Sequence, residues 1–112
     1  MRSGPFVQVA GQGPADPATG EYVHLGDVRA QTRQTLANVH AVLREAGADL
    51  ADVVMFRAYL STRDDFAAFD EAYGAYLDEH DGASVRPART TVVVGLPHPD
   101  MLVEIDALAV VG

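Results

Sequence analysis

Two charged side chains in the last third of the chain lie within apolar segments. Arg89 lies near the start of one such segment and Glu104 lies inside another. A charge in an apolar strand costs free energy unless it is paired, solvated or used. A guanidinium can clamp a carboxylate bidentately, and a partly desolvated glutamate can orient and deprotonate a water molecule. The two residues permit a small-anion site, and a cross-strand ion pair worth about 0–1 kcal/mol is the structural alternative.

The strands that carry these charges can be predicted from their composition. Residues 86–94 and 102–109 are rich in β-branched and aliphatic side chains and are separated by a short proline-containing connection. This pattern predicts two strands of one antiparallel hairpin. Residues 6–10 and 52–60 predict two further strands, and 21–25 a short edge strand. The nearly continuous apolar character of 52–60 is typical of a central strand.

Two further segments have the periodicity of amphipathic helices. The first begins after the N-cap Asp27 and ends at Gly47. The second begins near Thr62, which with Asp65 has capping-box spacing, and a polar loop over 79–84 follows it. Apolar residues recur every three or four positions in both, namely Leu36, Val39, Leu43 and Ala46, and then Phe66, Phe69, Tyr73 and Leu77. These stripes indicate packing into a core rather than a cofactor site.

The order of these elements predicts one α+β domain over residues 1–112. Two helices on one face of a mixed sheet would form a two-layer sandwich. The strands carry more apolar side chains than one helical layer is expected to need: Val7, Val9, Val53, Val92, Val94, Val103, Ile105 and Ala107. An apolar sheet face without helices is expected to be covered by another subunit, so the sequence predicts an oligomer.

The composition limits the classes of function. Sixteen acidic and eight basic residues give the 112-residue chain a net charge of −8. The basic residues are all arginines and are scattered, so nucleic-acid binding is not expected. The chain has no cysteine for a disulfide, a thiolate metal site or a thiol nucleophile. No apolar run suits a membrane span or a signal peptide, so a cytoplasmic protein is expected.

Other familiar site patterns do not fit. The histidines lack metal-site spacing, so surface or loop positions and no metal are expected for His24, His40, His80 and His98. No serine lies in a nucleophile elbow, so no nucleophilic role is predicted for Ser3, Ser61 and Ser84. Gly11 and Gly13 suggest a phosphate loop, but Pro14 follows where such a loop would open onto a helix. Turn and cap roles are expected for Asp16, Asp27, Asp49 and Asp52.

Four motifs follow one another along nearly the whole chain. They are Gly-Gln-Gly-Pro-x-Asp-Pro-x-Thr-Gly at 11–20, Gln-Thr-x-x-Thr-Leu-x-Asn-Val at 31–39, Pro-Ala-Arg-Thr at 87–90 and Val-Glu-Ile-x-Ala-x-Ala at 103–109. Together they resemble the RidA/YjgF family, formerly labelled endoribonuclease L-PSP. The resemblance implies a chorismate-mutase-like α+β fold, a homotrimer and ligand sites in the clefts between subunits. It also implies hydrolysis of reactive 2-imino (enamine) acids to 2-oxo acids and ammonia, without a metal or organic cofactor.

The resemblance also assigns roles to individual residues. Arg89 matches an arginine that holds the substrate carboxylate, and Glu104 matches a glutamate that positions the attacking water. Thr91 takes the place of a Cys or Thr that lines the pocket, and Gly11 matches a glycine beside the ligand. The resemblance therefore predicts that Arg89 and Glu104 are catalytic and that Gly11 and Thr91 line the substrate site.

Three features depart from the family pattern. Ala10 stands where many members have a serine, so a hydroxyl contact with the ligand is missing. Asp70 stands where the second helix often has asparagine, which places another anion near a site for an anion. The usual first strand, with its pocket tyrosine, has no clear counterpart before Phe6. A non-catalytic protein that binds or senses small carboxylates is the alternative function, and the net charge argues against a ribonuclease.

Overall fold

The computed structural model describes residues 1–80 and 86–112. The regular elements are β1 (Arg2–Ser3), β2 (Phe6–Gln12), α1 (Val28–Glu45), β3 (Val53–Leu60), α2 (Phe66–His80), β4 (Ala88–Val93) and β5 (Val103–Val110). Short 3₁₀ turns at Leu50–Asp52 and Arg63–Asp65 precede β3 and α2. The prediction of a loop over 79–84 is wrong at positions 79 and 80, because α2 extends to His80. Positions 81–84 lie outside the described residues.

The five strands form one mixed sheet in the order β1-β2-β5-β3-β4. β3 pairs with β4 in parallel and with β5 in antiparallel orientation. The predicted hairpin is therefore wrong, because Tyr59 of β3 lies between Val92 of β4 and Glu104 of β5. Strand composition indicates an extended backbone but does not identify the neighbouring strand. The central position predicted for β3 is confirmed.

Two segments before α1 also differ from the sequence prediction. Residues 21–25 do not form a strand, since the backbone makes only an isolated bridge between Ala15 and Tyr22 there. A two-residue strand, β1, pairs antiparallel with the start of β2, and the composition of Arg2–Ser3 gave no signal for it. Strands this short lack the alternation from which a strand is predicted.

Helix α1 begins and ends where its capping residues predict. The Asp27 carboxylate accepts a hydrogen bond from the Ala30 backbone N–H at 3.0 Å. Gly47 has a φ of +83°, a left-handed conformation that favours glycine, just beyond the last helical turn. In the part of the chain that the structure describes, no helix is long and apolar enough to cross a membrane.

The apolar strand residues mostly face the helices, which corrects the predicted second apolar face. Six of the eight residues named above are buried in the core: Val7, Val9, Val53, Val103, Ile105 and Ala107. The reason is the alternation of strand side chains, because the positions between them are polar. The sheet face turned away from the helices, called the open face below, carries Gln8, Met55, Arg57, Tyr59, Thr90, Val92, Glu104, Asp106 and Leu108. The two-layer α+β architecture itself is confirmed.

Candidate functional site

Arg89 lies on the helix side of the edge strand β4, against α2. Its guanidinium carbon is 4.6 Å from the ring centre of Tyr73, 5.2 Å from that of Phe69 and 5.9 Å from that of Phe66. Arg89 Nη1 lies 2.8 Å from Asp70 Oδ1, and the arginine side chain is 20% exposed. Aromatic faces attract a cation, so these rings and Asp70 hold the guanidinium in place at the surface.

Thr91 extends this group of residues along the same side of β4. Its hydroxyl oxygen is buried and has no hydrogen-bond partner within residues 1–80 and 86–112, and the same holds for the hydroxyl of Tyr73. Burial raises the pKa of Tyr73, which keeps its hydroxyl protonated and able to donate. Buried polar groups without partners are uncommon in folded proteins. Arg89, Thr91 and Asp70 are called the arginine half-site below.

Glu104 lies on the open face of β5, whereas its sequence neighbours Val103 and Ile105 are buried on the opposite face. Gly11 of β2 lies directly beside it, because a Cβ atom on Gly11 would be only 2.7 Å from Glu104 Oε2. The carboxylate can occupy this position only because residue 11 has no side chain. Glu104 and Gly11, together with the exposed Ala10 that precedes Gly11, are called the glutamate half-site below.

The two half-sites lie on opposite faces of one sheet. Arg89 faces α2, whereas Glu104 faces away from both helices. Within one chain the two groups therefore do not form the small-anion site that their residue types permit. The alternative of a cross-strand ion pair is wrong, since Arg89 pairs with Asp70. A single chain does not bring a carboxylate clamp and a candidate base to one ligand.

Two amide side chains of α1 fix the loops beside the glutamate half-site. The Gln31 amide donates to the Asp100 carbonyl at 2.9 Å and accepts from the Leu102 backbone N–H at 2.8 Å, just before β5 begins. The Asn38 amide donates to the carbonyl oxygens of Gly13 and Ala15 at 3.0 and 2.8 Å. The chain segments that lead out of β2 and into β5 are thereby tied to the same helix, which holds Gly11 and Glu104 in register.

Comparison with known proteins places this chain in a family. The family model described as endoribonuclease L-PSP matches residues 1–111. The chain belongs to that family. A RutC family protein of Pyrococcus abyssi is 43% identical over 109 residues, which cover 97% of this chain and 81% of the relative. The 2-iminobutanoate/2-iminopropanoate deaminase of Salmonella typhimurium is 38% identical over 107 residues, which cover 96% of this chain and 80% of that protein.

A solved structure supports the assignment. The YjgF gene product of Escherichia coli superposes with a TM-score of 0.88 at 38% sequence identity. The match covers 98% of this chain and 84% of that protein. The resemblance inferred from the four sequence motifs is thereby confirmed.

A charged network that was not predicted from the sequence of this L-PSP family member lies next to Glu104 on the open face. Asp106 accepts hydrogen bonds of 2.9 Å from Arg57 Nε and from the Tyr59 hydroxyl. The hydrogen bond to Asp106 raises the pKa of Tyr59 above its ordinary value, so the phenol remains a donor. Arg57 and Asp106 are charges inside apolar strands, as Arg89 and Glu104 are, and that signal was present in the sequence.

One histidine corrects the expectation of surface or loop positions. His40 is buried in α1, with Nε2 2.7 Å from Asp49 Oδ1 and Nδ1 3.2 Å from the Tyr76 hydroxyl. Both ring nitrogens have partners, so the imidazole is accommodated in the protein interior. Within residues 1–80 and 86–112, no three His, Asp or Glu side chains lie in an arrangement that could hold a metal ion.

Proposed function

We propose that this chain is the subunit of a homotrimeric deaminase that hydrolyses small reactive 2-imino acids, or their enamine tautomers, to 2-oxo acids and ammonia. The observation that carries the proposal is the division of the candidate residues into two half-sites on opposite faces of the sheet. Two half-sites that cannot meet in one chain can meet across a subunit boundary. The name of the Salmonella relative supports the substrate class, since that protein is a 2-iminobutanoate/2-iminopropanoate deaminase.

In the proposed site, the arginine half-site of one subunit binds the substrate carboxylate. The guanidinium of Arg89 has the planar, forked geometry that matches a carboxylate. Phe66, Phe69 and Tyr73 restrict its position, which lowers the conformational entropy lost on binding. The buried hydroxyl of Thr91, which has no hydrogen-bond partner among the described residues, lies on the same side of β4 as Arg89. Fixing the carboxylate fixes the adjacent C=N carbon.

The glutamate half-site of the neighbouring subunit supplies the proton transfers. Glu104 accepts a proton from water as the water oxygen forms a bond to the C=N carbon, and the imine nitrogen takes up a proton from solvent, giving a carbinolamine. Glu104 then returns its proton to that nitrogen. The C–N bond breaks, ammonia leaves, and loss of the hydroxyl proton to solvent converts the carbinol carbon to the carbonyl of the 2-oxo acid. One water is consumed and Glu104 ends in its starting state.

The first test measures the two half-sites separately. Wild-type protein, Arg89→Ala and Glu104→Gln are compared for release of pyruvate or 2-oxobutanoate from freshly generated imino acid, corrected for spontaneous hydrolysis. Arg89→Ala should raise KM strongly, and Glu104→Gln should lower kcat by about 100-fold or more because it removes a general base. Rates equal to wild type in both variants would exclude the proposal. Arg63→Ala, which changes an exposed arginine outside both half-sites, is the matched control.

A mixing experiment tests whether each site uses two chains. Arg89→Ala and Glu104→Gln subunits are unfolded together in equal amounts and refolded, or coexpressed. In a cyclic trimer about a quarter of the sites would combine an intact Arg89 with an intact Glu104 of the neighbour, so about a quarter of the wild-type activity should return. If both residues acted from the same chain, the mixture would remain as inactive as the separate variants.

A non-catalytic protein that binds small carboxylates is the second candidate. The separation of the two half-sites favours it, because the arginine half-site of one chain presents a guanidinium to a carboxylate with no candidate base beside it. The two functions differ in a simple measurement. Binding of pyruvate that depends on Arg89, with imino-acid hydrolysis no faster than in buffer, would support the binding protein and exclude the deaminase.

A further inference from the structure

The arginine half-site contains one cation and one anion. Asp70 Oδ1 lies 2.8 Å from Arg89 Nη1, and the Asp70 side chain is about half exposed while that of Arg89 is mostly covered. The contact involves one guanidinium nitrogen, so other donors of the five-donor fork are left for a ligand. A ligand carboxylate bound there would share the guanidinium with Asp70. The total charge of the half-site would then be −1.

The charges of Arg89 and Asp70 act differently on a ligand that carries only a negative charge and on a dipolar ligand. Two carboxylates on one guanidinium repel each other at a distance of a few ångströms, in surroundings partly shielded from water. A positively charged nitrogen next to the ligand carboxylate offsets that repulsion. A protonated 2-imino acid and a 2-amino acid carry such a nitrogen, whereas a 2-oxo acid does not.

We infer that Asp70 is a specificity-determining residue that makes the arginine half-site prefer dipolar 2-imino and 2-amino acids over simple 2-oxo anions. This inference rests on the proposed function, which assigns the ligand carboxylate to Arg89. It has a consequence for turnover. Hydrolysis replaces the charged nitrogen by a neutral carbonyl oxygen, so the product loses the compensation that the substrate had, and Asp70 favours its release.

Binding of two ligands with the same carbon skeleton tests the inference. Alanine is dipolar and pyruvate is a plain anion, and the affinity of each is measured by NMR titration at low ionic strength. The proteins are wild type, Asp70→Asn, Glu71→Gln and Arg89→Ala. Glu71→Gln removes the same single charge from the adjacent position of α2, but Glu71 pairs with Arg29 at 2.9 Å and not with Arg89.

Asp70→Asn should tighten pyruvate binding by about tenfold and change alanine binding much less or weaken it, so that the affinity ratio shifts toward pyruvate. The shift should shrink at high salt, and Glu71→Gln should keep the wild-type ratio. An unchanged ratio in Asp70→Asn, or the same shift in Glu71→Gln, would overturn the inference while leaving the proposed function intact. Binding unaffected by Arg89→Ala would instead overturn the proposed function and the inference with it.

Discussion

At the scale of single residues, the absence of a side chain at position 11 is as important as the presence of one at position 104. Gly11 leaves the space that the Glu104 carboxylate occupies, and it does so without an unusual backbone conformation, because its φ is not positive. The sequence motifs pointed to both residues. They could not show that the two touch, because contact between β2 and β5 depends on pairing over more than ninety residues of chain.

A substitution of Gly11 by alanine tests this contact. The new Cβ would lie 2.7 Å from Glu104 Oε2, so the carboxylate must move, whereas the strand backbone can accept alanine. We expect unchanged or slightly higher stability, by about 0.5 kcal/mol, because alanine costs less conformational entropy than glycine. We expect kcat to fall by about 100-fold because the proposed base is displaced.

The matched control is Gly95→Ala, since a Cβ at Gly95 would meet no atom within 4 Å and its φ is not positive. Thermal unfolding and imino-acid hydrolysis are measured for both variants. Loss of activity in Gly95→Ala as well, or full activity in Gly11→Ala, would contradict the assigned role of Gly11.

At the scale of the elements, local signals predicted what is determined locally. Asp27 and Gly47 located α1 because capping depends on residues only a few positions away. The pairing of β4 was predicted wrongly because it depends on β3, some thirty residues earlier. The sequence also did not show which side chains of β4 face the helices. Phe69, Tyr73 and Leu77 of the predicted stripe are buried in the core, whereas Phe66 is 43% exposed. The rings of Phe66, Phe69 and Tyr73 also surround Arg89.

The turn between α1 and β3 allows an element-scale prediction at Asp49. Its carboxylate accepts a hydrogen bond from the Leu50 backbone N–H and lies against His40. The Asp49 backbone N–H donates to the Asp52 carboxylate, which completes a capping box. Asp49→Ala should lower the free energy of unfolding by about 1–2 kcal/mol, the usual cost of losing such a cap. Asp49→Asn should cost less because asparagine also caps well. Urea unfolding near neutral pH measures both.

The charge of Asp49 adds a pH dependence with a definite sign. The backbone hydrogen bond from Leu50, followed by the interaction with His40, lowers the pKa of Asp49 below its ordinary value of 3.8. A lowered folded-state pKa contributes stability above the unfolded value, and that contribution is lost as the pH falls through the folded value. The stability difference between wild type and Asp49→Asn should therefore be full at about pH 5 and shrink below 3.8. A constant difference down to about pH 3 would contradict this assignment.

At the scale of the whole molecule, the open face is the surface through which the glutamate half-site would meet the arginine half-site of another subunit. It carries Glu104 and the network of Asp106, Arg57 and Tyr59, flanked by apolar side chains such as Val92. The sequence predicted an apolar face, but the mixture of charges and aliphatic groups requires knowledge of which strands are neighbours. Such a surface suits an interface with another copy of the chain, because Asp106, Arg57 and Tyr59 already have partners within their own subunit.

Val92→Arg tests this arrangement at the level of assembly. Val92 lies on the open face of the edge strand β4 and is 40% exposed in the isolated chain, so a guanidinium there should be tolerated by the fold. In the proposed trimer the same charge would be buried against a neighbour, at a cost that favours dissociation. We expect the sedimentation mass to fall from three chains of 11.9 kDa to one, with an unchanged circular-dichroism spectrum.

Activity should be lost together with the trimer, because Arg89 and Glu104 of different subunits would no longer meet. Leu25→Arg is the control, since Leu25 is 61% exposed in the loop before α1 and away from the sheet. That variant should remain trimeric and active. A Val92→Arg protein that stays trimeric would place the interface elsewhere, and one that is monomeric yet active would show that a single chain carries the whole site, which the opposite orientation of the two half-sites argues against.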